Sequence, residues 1–347
     1  MSAPQRTLAF AALGAFLVLL PFTISNYHVF QLTMVVVYAI VLLGLNILTG
    51  FNGQVSLGHG AFFAIGAYVT AILLDKTGVP YWATVPMAGG VCLVAGFLFG
   101  LPALRLEGLY LALATFALAV ATPQILKYRH IEQWTGGVQG ITILKPDPPP
   151  FLPVNSDQWL YFFCLVIAVP LYVVGWNLLR ARTGRALVAI RDHPLAASAM
   201  GIDNAFYKSA TFGISAMYTG VAGALGALVT QFVAPDSFPI FLSLSFLVGI
   251  VVGGVASIPG AVFGAVFIEF VPNVASAISD AAPWAIYGLV LILFMYTMPQ
   301  GVAGLLRMLE RRFAARDWSL AGKGRPAVPP ALALPLKGEG KGGRKAD

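Results

Sequence analysis

The chain has 347 residues, 58% of them hydrophobic and 10% charged, whereas a water-soluble domain carries about a quarter charged residues. That inventory excludes a soluble globular surface. Lys and Arg (21) outnumber Asp and Glu (14), a balance that could suit nucleic acid, but the charges lie between apolar runs and in one C-terminal stretch, where membrane topology accounts for them.

Ten stretches have the roughly 20 apolar residues that a helix needs to cross about 30 Å of hydrocarbon. They lie near 7–25, 29–48, 60–74, 83–101, 108–126, 159–179, 209–232, 240–256, 260–279 and 283–299. The first follows Arg6 like a secretory signal, yet no small-residue cleavage pattern follows it and another apolar run begins near Val29. The expected fold is an all-α integral membrane protein of about ten transmembrane helices with Gly-rich broken segments. Cys92 and Cys164 sit singly in apolar runs, without disulfide, metal or redox spacing, so neither metal nor cofactor is expected.

With both termini inside, 17 of the 21 basic residues fall on the cytoplasmic side, as the positive-inside rule requires. These are Arg6, Arg105, Arg180, Arg182, Arg185, Arg191, Lys208 and the ten from Arg307 onward. The outer side keeps Lys76, Lys127, Arg129 and Lys145. Three of these lie on the 127–158 connection, where Pro146, Pro148, Pro149, Pro150 and Pro153 predict an extended loop. Residues 1–306 are thus expected to form a transmembrane domain and 307–347 a basic cytoplasmic tail. In the tail, LLRMLERRFAARDW reads as an amphipathic helix drawn to anionic lipid, and the Gly-, Pro- and Lys-rich remainder as disordered. No nucleic-acid partner is needed to explain it.

Gly44 to Tyr68 reads GLNILTGFNGQVSLGHGAFFAIGAY, so Asn46, Gly50, Asn52, Gly53, Gln54, Ser56 and His59 interrupt sequence at membrane depth. Two readings stand. The segment is a broken helix bordering a translocation pathway, since polar backbone at that depth is tolerated only where protein or a water-filled cavity covers it. Alternatively, it is a turn with glycines for close helix packing, and His59 a packed, hydrogen-bonded residue. A second glycine-rich segment, GIVVGGVASIPGAVFG from Gly249 to Gly264, hints at two related halves, or serves helix packing alone through its Gly-x-x-x-Gly spacings.

Glu269 lies inside an apolar run, where a lipid-facing carboxylate would cost about 2 to 4 kcal/mol. It therefore faces the protein interior, either on the pathway or as a hydrogen-bonded carboxylate orienting helices near Pro272. Asp280 needs a similar interior or interfacial position. Asp236 sits in an outer loop as a turn or cap residue.

The inner loop GRALVAIRDHPLAASAMGIDNAFYK, Gly184 to Lys208, is long for a connection. Pro194 suits the first position of a short helix and Gly201 its stop. Ala197 and Gly201, four apart, form a small-residue face for a partner; an ordinary turn-helix is the alternative. No phosphate-binding loop, zinc-protease motif or nucleophile elbow occurs, so any ATP chemistry would come from another chain.

Taken together, LNILTGFNGQVSLGHGAFFAIGAY, LRLEGLYLALATFAL, TGGVQGI, GRALVAIRDHPLAASAMGI and APDSFPIFLSLSFLVGIVVGGVASIPGAVFGA resemble the branched-chain amino-acid ABC importer permeases of the LivM type, over roughly residues 35 to 306. The resemblance implies a bacterial inner-membrane permease for branched-chain or related small amino acids. Implied partners are a second, LivH-type permease, two cytoplasmic ATPases and a periplasmic solute-binding protein. It also implies that Arg191, Pro194, Ala196, Ala197 and Gly201 belong to an ATPase coupling loop, whose usual Glu-Ala-Ala pattern has Leu195 in place of the Glu. Ser245 stands where many relatives are acidic and Glu269 where they are often apolar, so urea, short amides and small organic acids remain alternative cargoes. An ion-coupled secondary transporter and a subunit of a proton-translocating complex are the rivals from other classes.

Overall fold

A computed structural model describes residues 14, 16–106, 108–150, 152–278, 283–305 and 308. Met308 apart, the residues of the 307–347 tail lie outside these, as does Asp280. Nine helices among the described residues are long and apolar enough to cross a membrane, and they correspond to the last nine stretches expected from the sequence. Of the first stretch, residues 16–23 are helical; the segment before Gly14 is not described.

The spans are built on α1 (Asn26–Leu45), α2 (His59–Ile72), α3 (Tyr81–Ala103), α4 (Leu109–Leu126) and α5 (Ser156–Arg180). Two short helices follow, α6 (Arg182–Asp192) and α7 (Pro194–Ala199). The remaining spans are α8 (Asn204–Thr230), α9 (Ile240–Gly253), α10 (Ile258–Ile278) and α11 (Pro283–Thr297). Local chemistry marks several boundaries. Asn155 and Gln158 form a reciprocal capping box at the start of α5, satisfying backbone N–H groups that have no intrahelical acceptor. The Asp203 carboxylate accepts from the N–H groups of Ala205 and Phe206 at 3.0 and 3.1 Å to begin α8. α1 runs on through a π-helical turn, Asn46–Phe51.

α8 is the hub. It packs chiefly on α3, α2 and α1, and its inward faces are lined by small residues such as Gly213, Ser215, Ala216, Gly220 and Gly223, all buried. A Cβ at Gly66 of α2 would overlap the Gly220 carbonyl, and one at Gly223 the Phe63 carbonyl. α9 and α10 cross in the same way: Gly253 lies against the Gly260 carbonyl and Gly264 against the Gly249 carbonyl. The Gly-x-x-x-Gly spacings therefore serve helix packing. The break between these two helices falls at 254–257, a little earlier than expected, with Gly254 at φ +117° and Ala256 at φ +56°. By contrast α5 and α11 display apolar side chains outward; Val166 is 70% exposed and Leu289 68%, a surface suited to lipid or to another membrane chain.

Charges separate by end. Arg105, Arg180, Arg182, Arg185, Arg191 and Lys208 lie at helix ends or in connections on one side of the bundle. At the opposite end Lys127 pairs with Asp236 and Lys145 with Asp157, each at 2.5 Å. Asp236 stands in the short turn Pro235–Ser237, as expected, and its carboxylate also pairs with Lys127. A two-residue antiparallel pair, β1 (Ile141–Thr142) with β2 (Phe232–Val233), fastens the proline-rich connection to the end of α8.

The helix approaches are testable. Gly66→Ala should lower stability in detergent by about 1–3 kcal/mol, the usual penalty for overpacking. Gly90→Ala, on α3 with open space around it, should leave stability unchanged or raise it by up to about 1 kcal/mol. Thermal unfolding of the two variants checks the contrast.

Candidate functional site at the basic end of the bundle

The residues singled out between Gly44 and His59 converge where α1 ends and α2 begins. The π turn of α1 closes through the Asn52 N–H to the Ile47 carbonyl at 3.2 Å, followed by the Gln54 N–H to the Leu48 carbonyl at 3.2 Å. Gly53, at φ +76°, reverses the chain in the left-handed region that glycine reaches without steric penalty. Residues 52–58 then run outside regular structure to α2. The expected break in the helix is thus present, and π turns of this kind recur at functional sites.

Protein groups satisfy nearly every polar atom of the break. The Asn46 side chain donates to the Ser257 carbonyl and accepts from the Ala256 N–H, both at 2.8 Å, so it clamps the turn between α9 and α10. Asn52 donates to Gln54 Oε1 at 2.8 Å, and the Thr49 hydroxyl to the Gln54 carbonyl at 3.0 Å. The buried Asn52 Oδ1 has no protein partner.

His59 is held from both ring nitrogens. The Ser215 hydroxyl donates its single proton to the Gly44 carbonyl at 2.6 Å, so at 2.7 Å it must accept from His59 Nε2–H. In the neutral ring Nδ1 then accepts from the Ser56 hydroxyl at 3.0 Å, while Ser56 Oγ accepts the Gly58 N–H at 3.3 Å. This chain ties α2, α8 and α1 together. Ser215 carries no sequence signal, because one serine in an apolar helix resembles any other; the same holds for Ser243, whose hydroxyl accepts the Gly60 N–H at 2.9 Å.

The inner loop meets the break directly. Arg191 at the end of α6 donates from Nη1 to the Gly50 carbonyl at 2.9 Å and from Nε to Asp192 Oδ1 at 2.9 Å. Its stem runs past Gly53, where a Cβ would sit 2.7 Å from Arg191 Cγ. A cavity of about 230 Å³ lies at this junction, bordered by Asn52, Gly53, Gln54, Arg191, Pro194 and Lys208.

α7 begins with Pro194 at its first position and stops at Gly201, φ +84°. The Ile202 N–H bonds the Ala197 carbonyl at 3.1 Å and the Gly201 N–H the Ser198 carbonyl at 3.0 Å, a complete Schellman closure. Asn204 Nδ2 donates to the Pro194 carbonyl at 2.7 Å and anchors the start of α7. The small-residue face expected for a partner is turned differently. Ala197 is buried against the protein, and the outward side chains are Leu195, 85% exposed, and Met200, 84% exposed. The reason is rotational: closing the helix at Gly201 directs Ala197 into the bundle and these two apolar residues away from it.

Glu269 is not part of this cluster. It is half-buried on α10, where Asn273 Nδ2 donates to its carbonyl at 2.6 Å and to its carboxylate at 3.3 Å. Toward the opposite end, Met34, Tyr38, Phe63, Phe238 and Leu242 border an apolar cavity of about 260 Å³, with Thr230 at its edge. Sequence reading missed it, because its aromatic residues look like core in each separate helix. Ser245 borders another cavity with Phe241, Leu244, Val248 and Tyr287.

Residues 27–298 match the family model described as the permease component of the branched-chain amino acid transport system. The chain is 33% identical over 331 residues to the high-affinity branched-chain amino acid transport permease LivM of Salmonella typhimurium LT2, covering 88% of this chain and 77% of that protein. Identity to LivM of Escherichia coli K12 is 32% over the same coverage. The LivH permease of Escherichia coli K12 is 22% identical over 77% of this chain and 91% of its own length.

Because Ser215 is the acceptor for His59, Ser215→Ala leaves the buried His59 Nε2–H without its partner and also removes the hydroxyl bond to the Gly44 carbonyl. It should lower stability in detergent by about 1–3 kcal/mol. Chemical or thermal unfolding, with Ser215→Thr as the hydroxyl-retaining comparison, checks it.

Proposed function

The chain belongs to the branched-chain amino acid transport permease family, and we propose that it is the membrane-embedded subunit of an ATP-driven importer for branched-chain or related small amino acids. The observation that carries this reading is the family match over residues 27–298, which takes in the spans from α1 to α11. The sequence holds no nucleotide-binding motif, so hydrolysis is assigned to two separate ATPase subunits. A second, LivH-type permease completes the membrane part, in keeping with the relation of this chain to both LivM and LivH proteins. A solute-binding protein delivers cargo from outside.

In this reading the basic end faces the cytoplasm of a bacterial inner membrane, with both termini inside, because cytoplasmic loops collect Lys and Arg. Asn52, Gly53 and Gln54 border the inner end of the passage. Asn46, Gly50, Ser56 and His59 keep that border in shape, and Glu269 faces the passage along α10. The loop carrying Pro194, Ala196, Ala197 and Gly201 docks on an ATPase, with Leu195 and Met200 as its apolar contacts, while Arg191, just before it, turns inward to the Gly50 carbonyl. The apolar cavity around Tyr38 and Phe238 suits a small aliphatic side chain, and the chain itself performs no covalent chemistry.

The reading is tested by purifying the complex from its native membrane through a tag on this chain and reconstituting it in vesicles. ATP-dependent uptake of L-leucine, with urea and acetamide as competing solutes, is the expected result. Uptake driven by an ion gradient without ATP would instead make the chain a secondary transporter. Preference for urea or acetamide would leave the importer class intact and change the cargo.

Gly201→Leu isolates the docking loop. A Cβ added there meets no atom within 4 Å beyond its chain neighbours, so the main cost is the left-handed backbone, about 1–2 kcal/mol. The variant should reach the membrane in normal amount but retain at least about tenfold less ATPase on purification, the fold-change equivalent to about 1.4 kcal/mol. Normal ATPase retention with normal uptake would reduce the loop to a connection.

A further inference from the structure

Between the end of α6, two residues before α7, and the turn joining α9 to α10 runs a series of short contacts, all within the basic end of the bundle. Arg191 at the end of α6 holds the Gly50 carbonyl at 2.9 Å. Gly50 lies in the π turn of α1 and against the backbone of Ala256, where a Cβ would stand 2.6 Å from the Ala256 nitrogen. Asn46, one turn earlier, grips the same segment through the Ala256 N–H and the Ser257 carbonyl, both at 2.8 Å. Ala256 holds φ +56° and Gly254 φ +117°, so this turn is set in a conformation that ordinary residues rarely adopt. The two helices it joins cross with glycine against glycine, Gly253 on Gly260 and Gly264 on Gly249.

We propose that Arg191 is a positioning residue for energy coupling: it transmits displacement of α7 through the Gly50 carbonyl into the π turn of α1, and from there through Asn46 to the α9–α10 turn. The proposal rests on the reading of α7 as the ATPase contact. It adds the route by which force leaves that contact. The π turn is suited to the task because its hydrogen bonds span one residue more than those of the flanking α-helix. Migration of that extra residue would shift the Gly50 carbonyl relative to Asn46 without unfolding the helix. A merely structural Arg191 would hold the loop in place with no consequence for the ratio of transport to hydrolysis. The coupling ratio therefore separates the two roles, as spatial contiguity alone does not.

Among the described residues, Asp192 takes its Nε–H, Gly53 admits its stem, and Asn52, Gln54 and Lys208 border the same cavity. Arg191→Met keeps the stem and removes the donor, while Arg191→Lys keeps one donor to the Gly50 carbonyl. The complex purified from its native membrane is reconstituted, and L-leucine uptake is measured per ATP hydrolysed at equal ATPase content.

Arg191→Met should retain its ATPase at the wild-type ratio and hydrolyse ATP within about twofold of wild type. Uptake per ATP should fall by about tenfold or more, with partial recovery in Arg191→Lys. Asn46→Ala should give a similar loss, and the double variant Arg191→Met/Asn46→Ala should be no worse than the poorer single one, because both interrupt one route. Losses that multiply in the double variant, or an unchanged coupling ratio in Arg191→Met, would overturn the relay. Loss of the ATPase together with uptake would overturn it too, since Arg191 would then only shape the docking surface. Failure of both Arg191→Met and Arg191→Lys to accumulate would leave Arg191 a folding role alone. If Gly201→Leu leaves ATPase binding and uptake normal, the docking assignment fails instead, whatever Arg191 does.

Discussion

Helices in lipid gain nothing from hiding apolar side chains from one another, because the surrounding acyl chains are equally apolar. What holds this bundle is close approach of backbones, and α8 is where it is concentrated. Its 27 residues place Gly220 against α2 and α3, Gly223 against α2 and Ser215 against α1. Side chains of ordinary size at these points would separate the helices, and with them the polar contacts that require short distances. The hydrogen bonds at the basic end are thus consequences of the packing above them. His59 reaches Ser215 only because α2 lies against α8.

The same constraint governs the interruption between α1 and α2. Membrane depth penalises unpaired backbone groups by several kcal/mol each, so a break in a helix survives only when other protein groups replace the missing bonds. Asn46 replaces two of them at the turn between α9 and α10, the π turn supplies others along the chain, and Arg191 takes the Gly50 carbonyl. The result is a polar junction in which five elements meet through side chains rather than through one continuous helix. Such a junction can change its geometry by exchanging hydrogen bonds, which a lipid-facing helix cannot do.

A division of labour follows between the two ends. The basic end gathers the break, the Arg191 contact and the exposed Leu195 and Met200, on which the proposed docking and transmission rest. The opposite end carries the Lys127–Asp236 and Lys145–Asp157 pairs, the small sheet and the aromatic cavity. α5 and α11 contribute little to either. Their exposed apolar faces fit lipid or a second permease.

The sequence by itself determined the class, the order of the spans and the position of the break. Apolar runs of about 20 residues need no tertiary information to be read, nor do Pro194 and Gly201 as the bounds of α7, since Pro fixes φ and Gly alone enters the left-handed region freely. The polar residues from Asn46 to His59 were legible as a group, because water-seeking atoms at membrane depth demand an explanation. Their partners were not. Ser215 lies 156 residues from His59, and Ser257 211 residues from Asn46, and no local pattern distinguishes these serines from others in apolar helices. The outward face of α7 was likewise decided by tertiary structure: spacing placed Ala197 and Gly201 on one side, but the closure at Gly201 and the anchor from Asn204 fixed how the helix is rotated, turning Ala197 inward and Leu195 outward. Periodicity records which residues share a face, whereas only packing between distant segments decides where that face points.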